Sequence, residues 1–176
     1  MEANQGNGRI LLVDDEPAIL RTFRYCLEDE GYQVATASSG AQAEAVLQGQ
    51  AFDLCFLDLR LGEESGLDVM ARMRAQAPWM RVVIVTAHSA VDTAVDAMQA
   101  GAADYLVKPC SPDQLRMAAA KQLEVRQMEA RLESLEQAGV VAGPIYDMGQ
   151  VYRDPQVDAR QMMVDLEDPE LGTLHN

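Results

Sequence analysis

The sequence predicts an α/β domain built on a doubly wound, five-stranded parallel sheet. Five short apolar runs, several of them rich in β-branched residues, alternate with helical stretches of about ten to fourteen residues. Consecutive parallel strands require right-handed crossovers, which place helices on both faces of the sheet. We expect this domain to cover residues 9–122, after a disordered N-terminus at residues 1–8.

The predicted strands are the five apolar runs. The third run begins Leu-Cys-Phe-Leu without a polar side chain, which is typical of a central strand that is buried on both faces. In chain order, the strands are residues 9–13, 32–37, 54–59, 81–86 and 104–108.

Apolar side chains at helical spacing occupy the segments between the strands. The first helix begins at Pro17, whose fixed φ suits a first helical position, and it ends at Gly31. Ser39 lies in a sequence that caps the second helix. The third helix ends before Pro78, the fourth covers residues 90–100, and the fifth begins near Pro112.

Composition and charge limit the classes of partner. The formal net charge of −14 and a sequence pI near 4.4 disfavour contact with phosphate backbones, so we expect no direct binding of nucleic acid. Three widely separated cysteines have neither a disulfide nor a zinc spacing. The sequence shows no signal peptide and no membrane-spanning run, and we expect a cytoplasmic protein without membrane contact.

Polar side chains stand where the predicted strands end. Asp14 and Asp15 follow the first strand, and Asp58 lies at the end of the third. Thr86 and Lys108 end the fourth and fifth strands. Ligands of open α/β sheets bind beyond the carboxyl ends of the strands, where these side chains would meet. A lone aspartate at a strand end is also a common cap or turn residue, but the whole set favours a functional site.

The chemistry of this set suits a metal ion and a phosphoryl group. Three carboxylates so close repel one another, and Mg²⁺, a hard cation that takes oxygen ligands, would offset that repulsion. A hydroxyl and an ammonium group add two donors for phosphoryl oxygens. Together these groups suit in-line phosphoryl transfer to a carboxylate, with Asp58 as the candidate nucleophile.

The strand-end residues resemble a known family, the receiver domain of bacterial two-component response regulators. The matching positions are Asp14-Asp15, Asp58, Thr86, Tyr105 and Lys108-Pro109. The resemblance covers about residues 8–125 and implies a flavodoxin-like (βα)5 fold. It implies that Asp58 accepts a phosphoryl group from a sensor histidine kinase. The chain would then catalyse only its own Mg²⁺-dependent phosphorylation and dephosphorylation, and would not otherwise be an enzyme.

The resemblance also implies a metal site around Asp58. Asp15, Asp58 and the backbone carbonyl of Arg60 would ligate Mg²⁺, while Asp14 would act through a metal-bound water. Arg60 and His88 lie two positions beyond the phosphoacceptor and the strand-end threonine. They either flank the phosphate and tune the lifetime of the acyl phosphate, or are solvated surface residues.

The remaining matched residues imply a conformational switch. Thr86 and Lys108 would each bind a phosphoryl oxygen, and Tyr105 would swing inward as Thr86 moves. The Lys108–Pro109 peptide bond would be cis, which proline makes energetically accessible. The phosphoryl group thereby offers contacts that exist only in the active arrangement, and it increases the population of that arrangement.

The last predicted helix continues beyond the domain, because no helix breaker precedes Gly139. Its apolar side chains follow a three-four spacing at Val125, Met128, Leu132 and Leu135. A helix of roughly 27 residues spans about 40 Å, which is more than packing against a small domain would use. We expect residues 123–138 to form an exposed helix or short coiled coil. We also expect a homodimer through the fourth helix, fifth strand and last helix.

Residues 139–176 form an acidic tail that we expect to be irregular and not an independent domain. The tail has seven acidic residues against two arginines and little apolar sequence. Residues 139–147, 153–160 and 168–172 are similar to a segment near the C-terminus of family III CoA-transferases. That segment omits the part in which the family keeps its catalytic aspartate, so the similarity implies no transferase activity.

The stretches Trp79-Met80-Arg81 and Val91-Asp92-Thr93-Ala94-Val95 belong to a receiver sequence, residues 8–125, that looks most like the receivers of enhancer-binding transcriptional activators. In that family an ATPase domain and a DNA-binding helix-turn-helix follow. The sequence has no Gly-x-x-x-x-Gly-Lys-[Ser/Thr] phosphate loop, and we expect neither domain in this chain. Two alternatives stay open. One is a defunct fragment produced by truncation or fusion. The other is a carboxylate-nucleophile phosphatase of the haloacid dehalogenase kind, which would require an aspartate where Arg60 stands.

Overall fold

The structure is a computed structural model, and it describes residues 8–87, 91–138, 165–168 and 172–175. The chain divides into two compact units, Met1–Glu133 and Ser134–Asn176. The first unit contains the predicted α/β domain, and its fold class is confirmed. None of the helices in the described ranges is both long and apolar enough to cross a membrane.

Five parallel strands form the sheet of the first unit, in the order β2-β1-β3-β6-β7. The chain places β2 on one side of β1 and the other three strands on the opposite side. The sheet is therefore doubly wound, with its switch point between β1 and β3. The strands are β1 Arg9–Val13, β2 Gln33–Ala37, β3 Leu54–Leu57, β6 Arg81–Thr86 and β7 Asp104–Val107.

Five helices occur in the described ranges, and sequence signals explain where two of them begin. The Ser39 side chain caps α2 by accepting a hydrogen bond from the Gln42 amide at 3.2 Å. Ser111 and Gln114 bond each other's backbone amides at the start of α5, as in a capping box. The helices are α1 Pro17–Asp29, α2 Gly40–Gly49, α3 Gly66–Gln76, α4 Val91–Gln99 and α5 Pro112–Gln137.

Alternate residues of the central strands enter two separate apolar layers. Leu11 and Val13 of β1 pack in one layer with side chains from α2, α3 and α4. Ile10 and Leu12 point to the other layer, which α1 and α5 cover. Because both faces are covered, the central strands have no polar face, which explains their continuous apolar runs.

A two-stranded hairpin was absent from the sequence prediction. The sequence predicts that the third strand extends to residue 59, but β3 ends at Leu57. Beyond Asp58, Arg60–Leu61 (β4) pairs with Glu64–Ser65 (β5) in antiparallel fashion. Gly62 makes the tight connection possible, since its φ of 64° is one that other residues rarely adopt. With only two residues per strand, the hairpin has too little periodicity to be predicted.

The tail also contains a strand pair where an irregular structure was expected. Asp165–Asp168 (β8) and Gly172–His175 (β9) pair in antiparallel fashion. The connection between them, residues 169–171, lies outside the described residues. The prediction of an irregular tail is therefore incorrect for these two strands, because turn chemistry alone was insufficient to indicate the pairing.

The helix α5 changes character along its length. Its first half packs on the sheet through Leu115, Ala118, Ala119 and Leu123, and Gln122 is buried with them. Met128 and Leu132 in the second half are more than half exposed. The predicted coiled coil of this second half stays a prediction.

Candidate functional site

The carboxyl ends of β1, β3, β6 and β7 bring the predicted polar residues together. Val13 pairs with Leu57 in the sheet register, so Asp14 and Asp58 leave neighbouring strands at the same level. Thr86 is the last residue of β6 and is fully buried. Lys108 follows β7, and its amide donates a hydrogen bond to the carbonyl of Thr86 at 2.8 Å.

The ammonium group of Lys108 lies between two carboxylates. Its Nζ donates hydrogen bonds to Asp14 Oδ2 at 2.5 Å and to Asp58 Oδ2 at 2.6 Å. These three side chains are each no more than 8% exposed. Glu16 is the more distant partner, with an oxygen 3.6 Å from the same nitrogen.

Burial and charge act in opposite directions on the pKa values of this cluster. Burial raises the pKa of Asp14 above its ordinary value, although hydrogen bonds from Lys108 and from the amide of Glu16 oppose that rise. Burial alone would lower the pKa of Lys108, but its bonds to the two carboxylates outweigh this effect and raise the pKa. The lysine is therefore held as a cation. Its single positive charge faces more than one carboxylate, so the site has an excess of negative charge.

Three carboxylates of the described residues are placed to share a cation. Oxygens of Asp14, Glu16 and Asp58 all lie within 4.8 Å of one another. Asp15 was predicted as a direct ligand, but its Oδ2 instead accepts a hydrogen bond from the amide of Gly62 at 3.0 Å. Its role in metal binding stays a prediction.

Glu16 lies in the site although it is not among the residues predicted from the sequence. The available signal was the run of three consecutive acids before Pro17, of which only the first two were used. The backbone explains its position, because the amide of Glu16 donates to Asp14 Oδ1 at 2.9 Å and this turn folds the residue back toward the sheet edge.

The segment that follows Asp58 contacts both the side chain and the backbone of that residue. The Arg60 amide donates to Asp58 Oδ1 at 3.0 Å, so this residue contributes a backbone contact, while its side chain is exposed. The predicted role of its carbonyl in binding a metal stays a prediction. Gly66 donates its amide to the Leu59 carbonyl at 2.7 Å. A Cβ on Gly66 would lie 2.6 Å from Leu59 Cα and would also collide with the carbonyl oxygen of Asp58. No periodic pattern in the sequence indicates this close approach.

The predicted switch residues lie on adjoining strands. Tyr105 pairs with Ile84 in the register of β6 and β7, and it packs against the core as a partly buried side chain. Burial raises its pKa, and the negative charge of Asp58 raises it further. The Lys108–Pro109 peptide bond is cis. His88, predicted to flank the phosphate, lies outside the described residues.

The chain matches a known protein family and several curated relatives over part of its length. Residues 10–120 match the family model of the response regulator receiver domain. The alginate biosynthesis transcriptional regulatory protein AlgB of Pseudomonas aeruginosa is 84% identical over 133 residues, which are 76% of this chain and 30% of that protein. AlgB of Pseudomonas putida is 82% identical over 137 residues, which are 77% of this chain and 31% of that protein. The chain thus spans less than a third of the length of these relatives.

Solved structures share the architecture. A receiver domain protein (CheY-like) from Methanospirillum hungatei JF-1 has a TM-score of 0.66 at 30% identity, covering 69% of this chain and 98% of that one. NtrX from Brucella abortus in complex with ATP has a TM-score of 0.70 at 33% identity, covering 73% of this chain and 30% of that one. The similarity of residues 139–176 to CoA-transferases is not shown by these comparisons and stays a prediction.

Proposed function

The chain belongs to the response regulator receiver domain family, and we propose that it accepts a phosphoryl group on Asp58 from a histidine kinase. Receiver domains of response regulators interact with such kinases. The observation that carries the proposal is the placement of Asp58 at the switch point of the sheet, with its carboxylate held against Lys108 at 2.6 Å. A buried strand-end carboxylate beside a cation is the arrangement that an in-line phosphoryl acceptor requires.

The transfer itself exchanges one bond of phosphorus for another. A carboxylate oxygen of Asp58 attacks the phosphorus of a phosphohistidine, and the phosphorus–nitrogen bond breaks as the new phosphorus–oxygen bond forms. The imidazole leaves with the electron pair of the broken bond. The ammonium group of Lys108 then also interacts with a phosphoryl oxygen, and its positive charge offsets the added negative charge.

The donor set fits a divalent cation. Asp14, Glu16 and Asp58 carry three negative charges and Lys108 carries one positive charge, which leaves an excess of two negative charges. Hard oxygen ligands and this excess suit Mg²⁺. We propose that Asp58 is a ligand together with Glu16 or Asp15, and Mg²⁺ when bound would neutralise charge on the carboxylates and the phosphoryl oxygens.

The switch is proposed to involve Thr86 and Tyr105. Thr86 lies on the strand next to β3 in the sheet, and its hydroxyl would bond a phosphoryl oxygen. Burial and, after it, the negative charge of Asp58 raise the pKa of Tyr105, so charge at the acceptor acts on this aromatic side chain. Because the phosphorylated acceptor carries more negative charge, the two arrangements of the switch would differ in their interaction with it. Arg60 and His88 are proposed to tune the lifetime of the acyl phosphate.

An apolar face is proposed to make a homodimer of the phosphorylated chain. The face comprises α4, β7 and the first half of α5, and its exposed apolar side chains are Val95, Met98, Val107 and Met117. These side chains lie on three elements of the first unit, and we propose that together they form an apolar patch of the kind that marks a protein interface. The chain is proposed to act through such contacts and to have no other enzymatic activity.

The test is incubation of the full chain with Mg²⁺ and acetyl phosphate, followed by intact mass spectrometry. We expect a gain of one phosphoryl group in the wild-type chain and none in Asp58→Asn. The matched control is Asp68→Asn, which alters an exposed aspartate in the first turn of α3 and should leave the gain unchanged. Absence of any gain in the folded wild-type chain would contradict the proposal.

A further inference from the structure

A line of hydrogen bonds connects the start of β7 to α5; it runs through Asp104, Gln122, Arg81 and Glu129. Asp104 is the first residue of β7, and its Oδ1 accepts a hydrogen bond from the backbone amide of Tyr105 at 2.9 Å. Its Oδ2 accepts from Lys121 Nζ at 3.1 Å and from Gln122 Nε2 at 3.3 Å. Both oxygens of this carboxylate therefore have partners on two elements, and the carboxylate links the backbone of the predicted switch aromatic to α5.

The same line continues from Gln122 into the second half of the helix. Gln122 Oε1 accepts a hydrogen bond from Arg81 Nε at 2.7 Å, and Arg81 Nη1 donates to Glu129 Oε1 at 2.7 Å. Arg81 is the first residue of β6, the strand that ends at Thr86. The line thus connects the amino ends of β6 and β7 with α5 at two positions that are two turns apart.

The burial of Gln122 distinguishes this line from ordinary surface contacts. The residue is 1% exposed, and its neighbours along α5 on the same side are Leu115, Ala118, Ala119 and Leu123. An apolar side chain there would bury the same face without the cost of desolvating an amide. A buried amide that has both its donor and its acceptor paired instead fixes one position of the helix relative to the strands.

We propose that Gln122 and Asp104 are positioning residues that transmit the state of Tyr105 to the second half of α5, at residues 124–133. The inference rests on the proposed phosphorylation of Asp58. Movement of Tyr105 displaces the backbone amide that Asp104 binds, and Asp104 shares its other oxygen with Gln122. Gln122 is bonded to Arg81, and Arg81 is bonded to Glu129 two turns further along α5. The displacement therefore alters the hydrogen bond between Arg81 and Glu129.

The test is hydrogen exchange of the full chain, measured by mass spectrometry before and after incubation with Mg²⁺ and acetyl phosphate. In the wild-type chain, phosphorylation should change deuterium uptake in residues 124–133. Gln122→Leu should be phosphorylated to the same extent but lose this change. A purely structural role for Gln122 would shift uptake equally in both states and leave their difference intact.

Two further variants make the result specific. Arg81→Met breaks the line at a partly exposed residue, and it should lose the same phosphorylation-dependent change even if Gln122→Leu does not fold. Gln127→Leu makes the same substitution at an exposed position of α5 and should retain the change.

The outcomes separate this inference from the proposed function. Failure of the wild-type chain to gain a phosphoryl group would contradict the proposed function. A phosphorylated wild-type chain whose residues 124–133 do not respond would overturn the inference alone. Retention of the full response in both Gln122→Leu and Arg81→Met would also overturn the inference, while the phosphorylation of Asp58 would stand.

Discussion

A single ammonium group holds the two buried carboxylates of the site together. Lys108 Nζ donates to both Asp14 and Asp58, and all three side chains are almost fully buried. Removing one member of a buried ionic cluster leaves uncompensated charge, which costs far more than the loss of an exposed ion pair. The stability of the site and its affinity for a cation are therefore coupled at this residue.

Replacing Lys108 should expose this coupling. We expect Lys108→Met to lower the free energy of unfolding by about 3 kcal/mol in EDTA, because Asp14 and Asp58 then face each other without a countercharge. Mg²⁺ should stabilise the variant more than the wild-type chain, since it supplies the missing charge. Urea unfolding with and without Mg²⁺ measures both effects.

The control is Lys121→Met, which removes an exposed lysine paired with Asp104 at 3.1 Å. That change should cost less than about 1 kcal/mol and should leave the effect of Mg²⁺ unaltered. Equal stabilisation by Mg²⁺ in Lys108→Met and in the wild-type chain would refute the coupling.

The close approach of Gly66 to Asp58 gives a second test at residue scale. Gly66→Ala should destabilise the chain by about 1–3 kcal/mol and slow its phosphorylation, because the new Cβ collides with the backbone of Asp58 and Leu59. Gly49→Ala is the matched control, since a Cβ there meets no atom within 4 Å. The control should be neutral or stabilise by about 0.5 kcal/mol. Circular dichroism during urea unfolding measures the stability of both variants, and phosphorylation rates are compared alongside. Equal stabilities and equal rates for the two variants would contradict this prediction.

The sequence indicated part of the site for a clear physical reason. Parallel strands end at one edge of the sheet, so a polar residue directly after each apolar run can be assigned to that edge. Asp58, Thr86 and Lys108 were found in this way. Glu16 and Gly66 were not, because their positions depend on turns whose backbone geometry leaves no periodic pattern in the sequence.

We expect the helix α5 to transmit structural changes from this site beyond the sheet. Its first half is held by apolar packing and by the bonds of Gln122 to Arg81 and Asp104. Its second half is held by the bond from Arg81 to Glu129. Such a helix can keep its place on the domain while its second half responds to small changes at the strand ends. The polar attachment also makes the helix sensitive to pH.

Acid should weaken this attachment through Asp104. Burial favours a higher pKa for this carboxyl group, but the hydrogen bonds from Tyr105, Lys121 and Gln122 outweigh burial and lower the pKa. A lowered pKa in the folded state contributes stability above the unfolded value, and this contribution is lost as the pH falls through the folded value. We therefore expect the free energy of unfolding of the wild-type chain to fall more steeply than that of Asp104→Asn below about pH 4.

Urea unfolding at a series of pH values measures the difference between the two chains. Asp14 has a raised pKa and changes stability in the opposite direction, but it is present in both chains, so their difference isolates Asp104. Parallel pH profiles for the two chains would disprove this role of the carboxylate.

The main elements could be predicted because their apolar periodicity extends over a sufficient length. The two outer strands of the fold, β2 and β7, were predicted within a residue of their observed ends. The hairpins β4–β5 and β8–β9 were missed, since strands of two to four residues are defined by pairing across a turn rather than by their own pattern.

At the scale of the whole molecule, the exposed apolar residues of α4, β7 and α5 determine the expected assembly. We expect phosphorylation to shift the full chain toward a dimer, and Met117→Glu to abolish this shift because it places a charge within the apolar face. Met117 is 72% exposed, and Tyr25 on α1 is a matched control at 74%. Light scattering after size exclusion should show that Tyr25→Glu still dimerises. Dimerisation of Met117→Glu would exclude this face.

We expect Asp58 to be the phosphoryl acceptor and its phosphorylation to require a divalent cation. The most direct measurement is peptide mapping by tandem mass spectrometry after incubation with acetyl phosphate, in Mg²⁺ and in EDTA. We predict a phosphoryl group on Asp58 in Mg²⁺ and almost none in EDTA. A phosphoryl group on another residue, or equal labelling of Asp58 without a divalent cation, would contradict the claim.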